Sequence, residues 1–427
     1  MSVRSILANH NILAVSAENM ETAINTEQTL DTSMLCAIGD EINLDRRREN
    51  NEDEMTGHEE PDTIYDLGAT SSATLNFEKA QPQHFAFLGA YGLGAVASAE
   101  AGDGYKHTIT PIDGDLDNAR SLPSFTAAQR YGKTVLKRRY ASMFVDSFTA
   151  TFSRDSWCKI AGSIKGTGKN AINIVEETVN AAKSAVSLTL AANGVHGASA
   201  QERLQNVQRI KVELSAGVWT EVAYSAVSDA TPAVITIGAS GEGGDLVDYK
   251  ILYIAAESDW MTLPSRTVET PLRVAQMTLN IGGAWTGSAF SGGRPIGAEM
   301  KSLEWSFNNN LEVQFVPGAT AAYAGRAVRN GRSQKIKLDR EFRDYILQQH
   351  MDANDTLGIR ILAQGALYDE TYHYQVEIIF PKVGFLSAPI SVDGKRLAEA
   401  GDIQVLEHAT YGSVIMNVQN LVETYAA

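Results

Sequence analysis

The sequence predicts a mainly β (α+β) protein. It would hold a duplicated β-sandwich or barrel unit, each copy with a flanking helix, and a small β domain inserted between the copies. Three observations carry this. Long runs alternate with period two, as in Leu303, Trp305 and Phe307 against Ser302, Glu304 and Ser306, the pattern of a strand with one dry face. A long hairpin and a strand-helix-strand segment occur on each side of the chain's centre, their order shifted between the halves. Between them, residues 180–265 hold short apolar runs separated by Gly, Ser, Asp and Pro, the spacing of a small sandwich.

Residues 1–68 are expected to be an extended segment with a charged arm. EINLDRRRENNEDEMTGHEEPDTIYD (41–66) is dense in charge and poor in apolar residues, so it reads as a solvated arm or loop outside the core. Residues 69–179 form the first unit. TLNFE is a strand with Leu75 and Phe77 on one face. Pro82 opens a helix with Phe85, Leu88 and Gly89 on its buried side, and KHTITPI is extended again. In SMFVDSFTATFSRDSWCKIAGSI, Phe144, Phe148 and Phe152 share one face and Ser147, Thr149, Thr151 and Ser153 the other, with a turn at Arg154-Asp155-Ser156.

Residues 180–265 include RIKVEL, VWTEVAYSAV, AVITIGA and DYKILYIAAE, flanked by NAAKSAVSLTLAANG and SDWMTLPSRTVETP as exits from the main body. Residues 266–427 form the second unit. KSLEWSFNNNLEVQF reads as a hairpin through Asn308-Asn309-Asn310, pairing Phe307 with Leu311, Trp305 with Val313 and Leu303 with Phe315. KIKLD is a strand. Asp339 caps a helix through REFRDYILQQHM whose buried stripe is Phe342, Tyr345 and Ile346. GIRILAQG, YHYQVEIIF and QVLEHATYGSVIMNV close the unit with strands.

The 427 residues carry a net charge of -15, which argues against general affinity for nucleic acid, since that needs a clustered basic excess. A local basic patch at Lys137-Arg138-Arg139 is compatible with that balance. Two cysteines, Cys36 and Cys158, lack partners at metal spacing and read as buried thiols, with a single disulfide as the alternative. MSVRSILANHNILAVSAENM shows no cleavage-site pattern and no run reaches membrane-span length, so a soluble, cytoplasmically made protein is expected.

No cofactor, metal or catalytic site is expected, and the chain does not read as an enzyme. His58-Glu59-Glu60 lacks the second histidine of a zinc helix. IKGTGKN (164–170) has Ser163 where a phosphate loop needs glycine and Asn170 after Lys169, and GAYGLG (89–94) misses dinucleotide spacing. No serine sits in a nucleophile elbow.

The other face of the hairpins is expected to carry only small polar and acidic groups, and it needs a use. Sheets from several subunits joined edge to edge would close a barrel, with core faces outward and polar faces lining a channel. Alternation alone leaves open a solvent-facing sheet of an ordinary α+β domain. The chain resembles the tail tube proteins of long-tailed bacteriophages. The resemblance runs through INTEQTLDTSMLCAIGDEINLD, GATSSATLNFEKAQPQHFAFLGAYGLGA, FVDSFTATFSRDSWCKIAGSIKGTG and the second copy from KSLEWSF onward.

The resemblance implies a structural virion protein that assembles in the host bacterial cytoplasm into stacked rings, a hollow tail tube for DNA ejection. It implies a homotrimeric ring with pseudo-six-fold symmetry, or a homohexamer as the alternative. Partners would be the tape-measure protein, tail terminator and tail-tip proteins, and double-stranded DNA in transit without sequence-specific binding; no membrane is involved. Ser302, Glu304, Ser306, Glu312, Thr149 and Thr151 are expected to face the channel, with Trp305, Phe307, Phe148 and Phe152 in the core. Arg46, Arg47, Arg48, Glu52, Asp53 and Glu54 are expected in an arm that touches the next ring. The rivals are another ring-forming head or tail completion protein, or a soluble two-domain β-rich binding protein.

Overall fold

Among the described residues strands take 53% and helices 8%, which makes the protein mainly β. The structure is a computed structural model and describes residues 7–112, 121–256, 260–318 and 320–427. Residues 1–6 of the N-terminal segment and 258–259 of the second flank lie outside the described residues. The first part runs β1 (Ile12–Val15), β2 (Thr32–Met34), β3 (Asn43–Asn50), β4 (Ile64–Phe77), helix α1 (Pro82–Leu93), β5 (Gly94–Ala101) and β6 (Gly104–Pro111). It continues with β7 (Phe125–Arg130), β8 (Lys137–Ser153), β9 (Lys159–Gly166) and β10 (Asn170–Ile172). Next come β11 (Ile174–Ala182), β12 (Ser187–Thr189), helix α2 (Ala200–Asn206), β13 (Val207–Ser215), β14 (Val218–Glu221), β15 (Tyr224–Val227), β16 (Val234–Ile237) and β17 (Leu246–Ile254). The last part runs β18 (Met277–Trp285), β19 (Phe290–Pro295), β20 (Met300–Asn308), β21 (Leu311–Gln314), β22 (Arg326–Arg329) and β23 (Ser333–Glu341). Helix α3 (Ile346–Ala353), β24 (Leu357–Leu367), β25 (His373–Ser387), β26 (Ile390–Asp393), β27 (Arg396–Val405) and β28 (Ile415–Asn420) complete it.

The chain forms two compact units. The smaller comprises Arg130–Arg138 and Ala171–Thr262 among its described residues. Its sheets run β11-β17-β13-β14 and β12-β16-β15, and they enclose a separate core that includes Leu188, Ile210, Ile235, Tyr249, Ile251 and Tyr253. The flank NAAKSAVSLTLAANG is therefore part of this unit: β11 pairs with β17 along its whole length. It starts earlier than the expected residue 180 because β11 supplies the edge that β17 needs.

The larger unit comprises Leu7–Gln129, Arg139–Asn170 and Leu263–Ala427. Both halves of the chain share its one large core. Antiparallel pairings give a sheet ordered β3-β4-β9-β8-β20-β23-β27-β26. A second layer runs β5-β6-β28-β25-β24-β18-β19. Strand β25 serves both, since its last residues pair with β27.

Helix α1 has every residue buried, so the expected one-sided stripe is corrected. Beyond Gln83 and His84 in its first turn the helix is apolar or small on every side, as a buried helix is, and two glycines let it sit between layers. A Cβ on Gly92 would come 2.9 Å from Phe148 of the first sheet, and one on Gly89 2.8 Å from Met416 of the second. Phe148 in turn stacks on Phe307 and meets Trp305 edge-on, with ring centroids 5.0 and 5.1 Å apart.

The two halves repeat in the same order, not a shifted one. β3, β4, α1, β5, β6, β8 and β9 correspond to β20, β23, α3, β24, β25, β26 and β27. In each half a strand precedes the helix, a hairpin follows it, and a second hairpin returns to the first sheet. Each half contributes four strands, and β8 joins β20 at the midline.

Several local expectations are corrected. The runs 303–307 and 311–315 do not pair: β20 lies between β8 and β23, and β21 pairs with β22. The three asparagines form a corner instead, with Asn309 buried and Asn310 exposed. Asn309 donates to the Gly92 carbonyl (2.8 Å) and its backbone N–H to the Asp146 carbonyl (2.8 Å), while Leu311 N–H donates to the Asp146 carboxylate (2.7 Å). Asn310 takes the left-handed conformation, φ 50°, and the chain leaves the sheet. Phe144 does not share the face of Phe148 and Phe152. A register shift between Val145 and Ser147 moves it into a satellite cluster with Leu122, Leu311 and Ala327, as a bulge does to every side chain beyond it.

Residues 41–66 are a solvated arm outside the core as expected, built as the exposed hairpin β3–β4 with an irregular tip at 51–63. Asp339 caps nothing, because β23 continues through it; α3 starts later, buries Leu347 and leaves Tyr345 exposed. Cys36 and Cys158 are both free thiols, Cys158 buried and Cys36 partly so.

Candidate functional site

The feature that sets this molecule apart is the outer face of the β3-to-β26 sheet. Period two places Leu303, Trp305 and Phe307 inward beside Phe152, Ala150 and Phe148 of β8, and Leu338 and Ile336 of β23 continue that layer. The alternate residues therefore form one continuous polar face. β20 brings Ser302, Glu304 and Ser306; across from them lie Ser153, Thr151 and Thr149 on β8. β9 adds Ser163, and β4 adds Ser72, Thr74 and Asn76. Thr149, Thr151, Ser302, Glu304 and Ser306 are thus brought together on one surface, all partly exposed.

Glu312 is not among them. It stands exposed on the separate β21–β22 pair, where Asn330 donates to it at 2.9 Å and holds its carboxyl below the ordinary range.

The expectation of a purely small and acidic face is also corrected. β23 sets Lys337 opposite Glu304 and Lys335 opposite Ser306, and β27 sets Asp402 opposite Lys337. Lys335 pairs with Asp402 at 2.8 Å, Lys165 with Asp146 at 3.0 Å, and Ser302 donates to Asp339 at 2.9 Å. The lysines are interleaved with acids, so the face is hydrophilic and close to electrically balanced. These β23 and β27 residues were missed because the expected hairpin occupied their place beside β20. The alternation in KIKLD was the available signal.

The sheet ends in two exposed hairpins. At the β3 edge, the arm carries Arg46, Arg47, Arg48, Glu52, Asp53 and Glu54, all exposed. Arg46 pairs with Asp66 at 3.4 Å, and Arg47 lies 5.1 Å over the Phe315 ring. Asn51 closes the tip by donating to Asp62 at 2.6 Å. At the other edge, β26 pairs with β27 on one side, and Ile390 and Val392 are exposed.

The run 137–139 does not make an open basic patch: Arg139 pairs with Glu27, and Lys137 donates to the Met261 carbonyl at 2.9 Å. Among the described residues, no group of three or more His, Cys, Asp or Glu is placed to hold a metal ion, and no helix is long and apolar enough to cross a membrane.

One buried ionisable cluster lies elsewhere in the larger unit. Arg340, fully buried, donates to Glu399 (2.7 Å), Glu299 (3.0 Å) and Asp344 (3.2 Å). It has the character of a structural tie, since each acid is matched by the same fork-shaped cation. Glu269 is also buried. It accepts from Gln83 N–H in the first turn of α1 at 2.8 Å, and burial pushes its carboxyl up to about 7.

No known protein-family profile matches this chain, and no curated protein is significantly similar to it.

Proposed function

We propose that this chain is a tail tube protein of a long-tailed bacteriophage, a structural virion component whose copies close into stacked rings around a channel. One observation carries the reading: two repeated halves each give four strands to a single sheet whose outer face is polar and charged but for a few alanines. Three copies would then give about 24 strands. At about 4.8 Å between strands and a tilt near 40°, such a barrel is roughly 50 Å across at the backbone, wide enough to admit a nucleic-acid duplex between side chains on the wall. The internal repeat favours the trimer with pseudo-six-fold symmetry over six copies.

The face suits passage. A wall with a basic excess would hold phosphates through counterion release; here Lys335 and Lys165 are each bound to an acid. Ser302, Glu304, Ser306, Thr149 and Thr151 would line the channel, first beside the tape-measure protein and then beside the DNA. Glu312, on a separate strand pair, is left out of that lining. The arm tip at 51–63 would reach the next ring. The β21–β22 excursion stands at the equivalent point of the second repeat, between β20 and β23 as the tip stands between β3 and β4.

Electron microscopy of the purified chain with mass measurement tests this. Stacked rings with a stained channel and the mass of three copies per ring are expected. A monodisperse monomer at all concentrations, also after addition of tail-tip components, overturns the reading.

A further inference from the structure

The chain holds two Asn-Gly pairs, Asn193-Gly194 and Asn330-Gly331, and the fold treats them differently. An asparagine followed by glycine carries its own reagent. The glycine nitrogen can attack the side-chain amide, because no Cβ blocks its approach and the backbone turns freely there. Whether it does so depends on what holds the pair.

In the smaller unit the pair is held. The Asn193 carbonyl accepts from Ala233 N–H (3.0 Å) and the Gly194 carbonyl from Ala256 N–H (2.8 Å). Gly194 is buried, and a Cβ there would come 2.9 Å from Thr231. In the larger unit, Asn330 and Gly331 are both exposed, in the short link from β22 to β23. Gly331 has open space around it and a φ of +125°. Its N–H donates to no described residue. Arg329 and Arg332 flank the pair in sequence, and positive charge favours the deprotonated nitrogen that attacks. We propose that Asn330 is a site of spontaneous modification, converted in the folded protein to aspartate and isoaspartate, while Asn193 is protected.

In the first step the Gly331 nitrogen bonds to Cγ of Asn330 and gives up its proton. The Cγ–Nδ2 bond breaks, and the amide nitrogen leaves as ammonia. Water then opens the cyclic imide, at the main-chain carbonyl to give isoaspartate or at Cγ to give aspartate. Nothing is oxidised or reduced, and water is the only co-reactant.

The corner beside the site would feel the change. Asn330 donates from Nδ2 to Glu312 at 2.9 Å. A carboxylate in its place has no proton to donate and sets two negative groups at that distance. Asn310 grips both sides of the link: Asn330 N–H donates to its carbonyl (3.3 Å), and its Nδ2 donates to the Gly331 carbonyl (3.0 Å). Isoaspartate lengthens the main chain between those two contacts by a methylene, so both cannot survive. Among the described residues β21 and β22 form a two-stranded sheet of their own, and these contacts close its end. Modification at residue 330 therefore loosens the β21–β22 pair.

Peptide mapping of the folded full chain, incubated in mildly alkaline buffer, follows the reaction. Conversion at 330 should run at least about tenfold faster than at 193, since only the second must open locally before it can react. In denaturant the two should convert at similar rates. Asn330→Gln, whose ring closure is slower, should remove the signal at 330. Asn330→Asp carries the product's charge, and limited proteolysis of β21 and β22 should be faster in it than in Asn330→Gln or the unaltered chain. No conversion at 330 in the folded chain, or equal folded-state rates at 330 and 193, overturns the site. Proteolysis of Asn330→Asp at the unaltered rate overturns the effect on the corner. Each of these results is independent of whether the chain builds tubes.

Discussion

Replacing Glu269 by glutamine should stabilise the protein near neutral pH and do nothing in acid. Glu269 is 3% exposed, in the segment that follows the inserted unit, and its carboxylate accepts from Gln83 N–H at the start of α1 while its own N–H donates to Gln81 (3.2 Å). Burial is the dominant cause of its raised pKa, about 7 against an ordinary 4.5; hydrogen bonds from Gln83 and Asn420 oppose it only in part. The phenols of Tyr374 and Tyr425 feel this carboxylate and are themselves pushed up, chiefly by burial.

The sign follows from linkage. The unfolded chain gives up this proton near pH 4.5, the folded one only near pH 7. The stabilisation is therefore complete below pH 4.5, is lost progressively as pH rises to 7, and stays lost above it. The gap corresponds to about 3 kcal/mol at 1.36 kcal/mol per pH unit. A glutamine side chain there would keep the acceptor for Gln83 N–H and carry no charge. Denaturant unfolding of both proteins at about pH 4.5 and 7.5 reads the effect. The difference should be near zero at the first and up to about 3 kcal/mol in favour of Glu269→Gln at the second. An equal or lower stability of the variant at the higher pH would refute the argument, because Glu269 would then be a well-solvated or well-paired carboxylate.

Further expectations concern packing and the polar face. Trp305→Ala removes the ring that meets Phe148, Phe307 and Phe380 and should cost about 3–5 kcal/mol in thermal or denaturant unfolding. Gly92→Val should cost at least about 1–3 kcal/mol through overpacking against Phe148, while Gly217→Ala, in open space but with φ +78°, should cost only its backbone strain, about 1 kcal/mol. Arg340→Met strands Glu299 and Glu399 in the core and should cost about 3–5 kcal/mol at pH 7, less in acid, where the carboxyls can protonate. If the polar face lines a channel, changing Thr149, Thr151 and Ser306 to lysine should leave tubes intact by microscopy but slow DNA release, with the delay relieved by salt; unchanged release kinetics would count against that placement.

How much was legible in the sequence depended on whether a signal was local. Alternation in 302–307 and 147–153 correctly separates Trp305, Phe307, Phe148 and Phe152 from the serines, threonines and glutamate, because the strand period is a property of the backbone itself. The mainly β class, helix α1 and the inserted β unit follow from the same local rules. Pairing partners did not. Asn308-Asn309-Asn310 carries the composition of a hairpin turn, yet Gly92, Val145 and Asp146, far away in sequence, capture Asn309 and Leu311 and send the chain elsewhere. That choice seats β23 beside β20, brings Lys335 and Lys337 onto the face, and turns an expected acidic surface into a balanced one. The single insertion at Asp146 moves Phe144 to another core, and Arg340 reads as a surface residue until Glu299, Glu399 and Asp344 converge on it. By itself the sequence determined which residues face inward along each regular stretch of strand, since that is set every second residue; it did not show the irregularity at Asp146 that turns Phe144 away. Only the tertiary structure decided which strands are neighbours, where the two repeats join, and which edges remain open, because those depend on contacts between residues far apart along the chain.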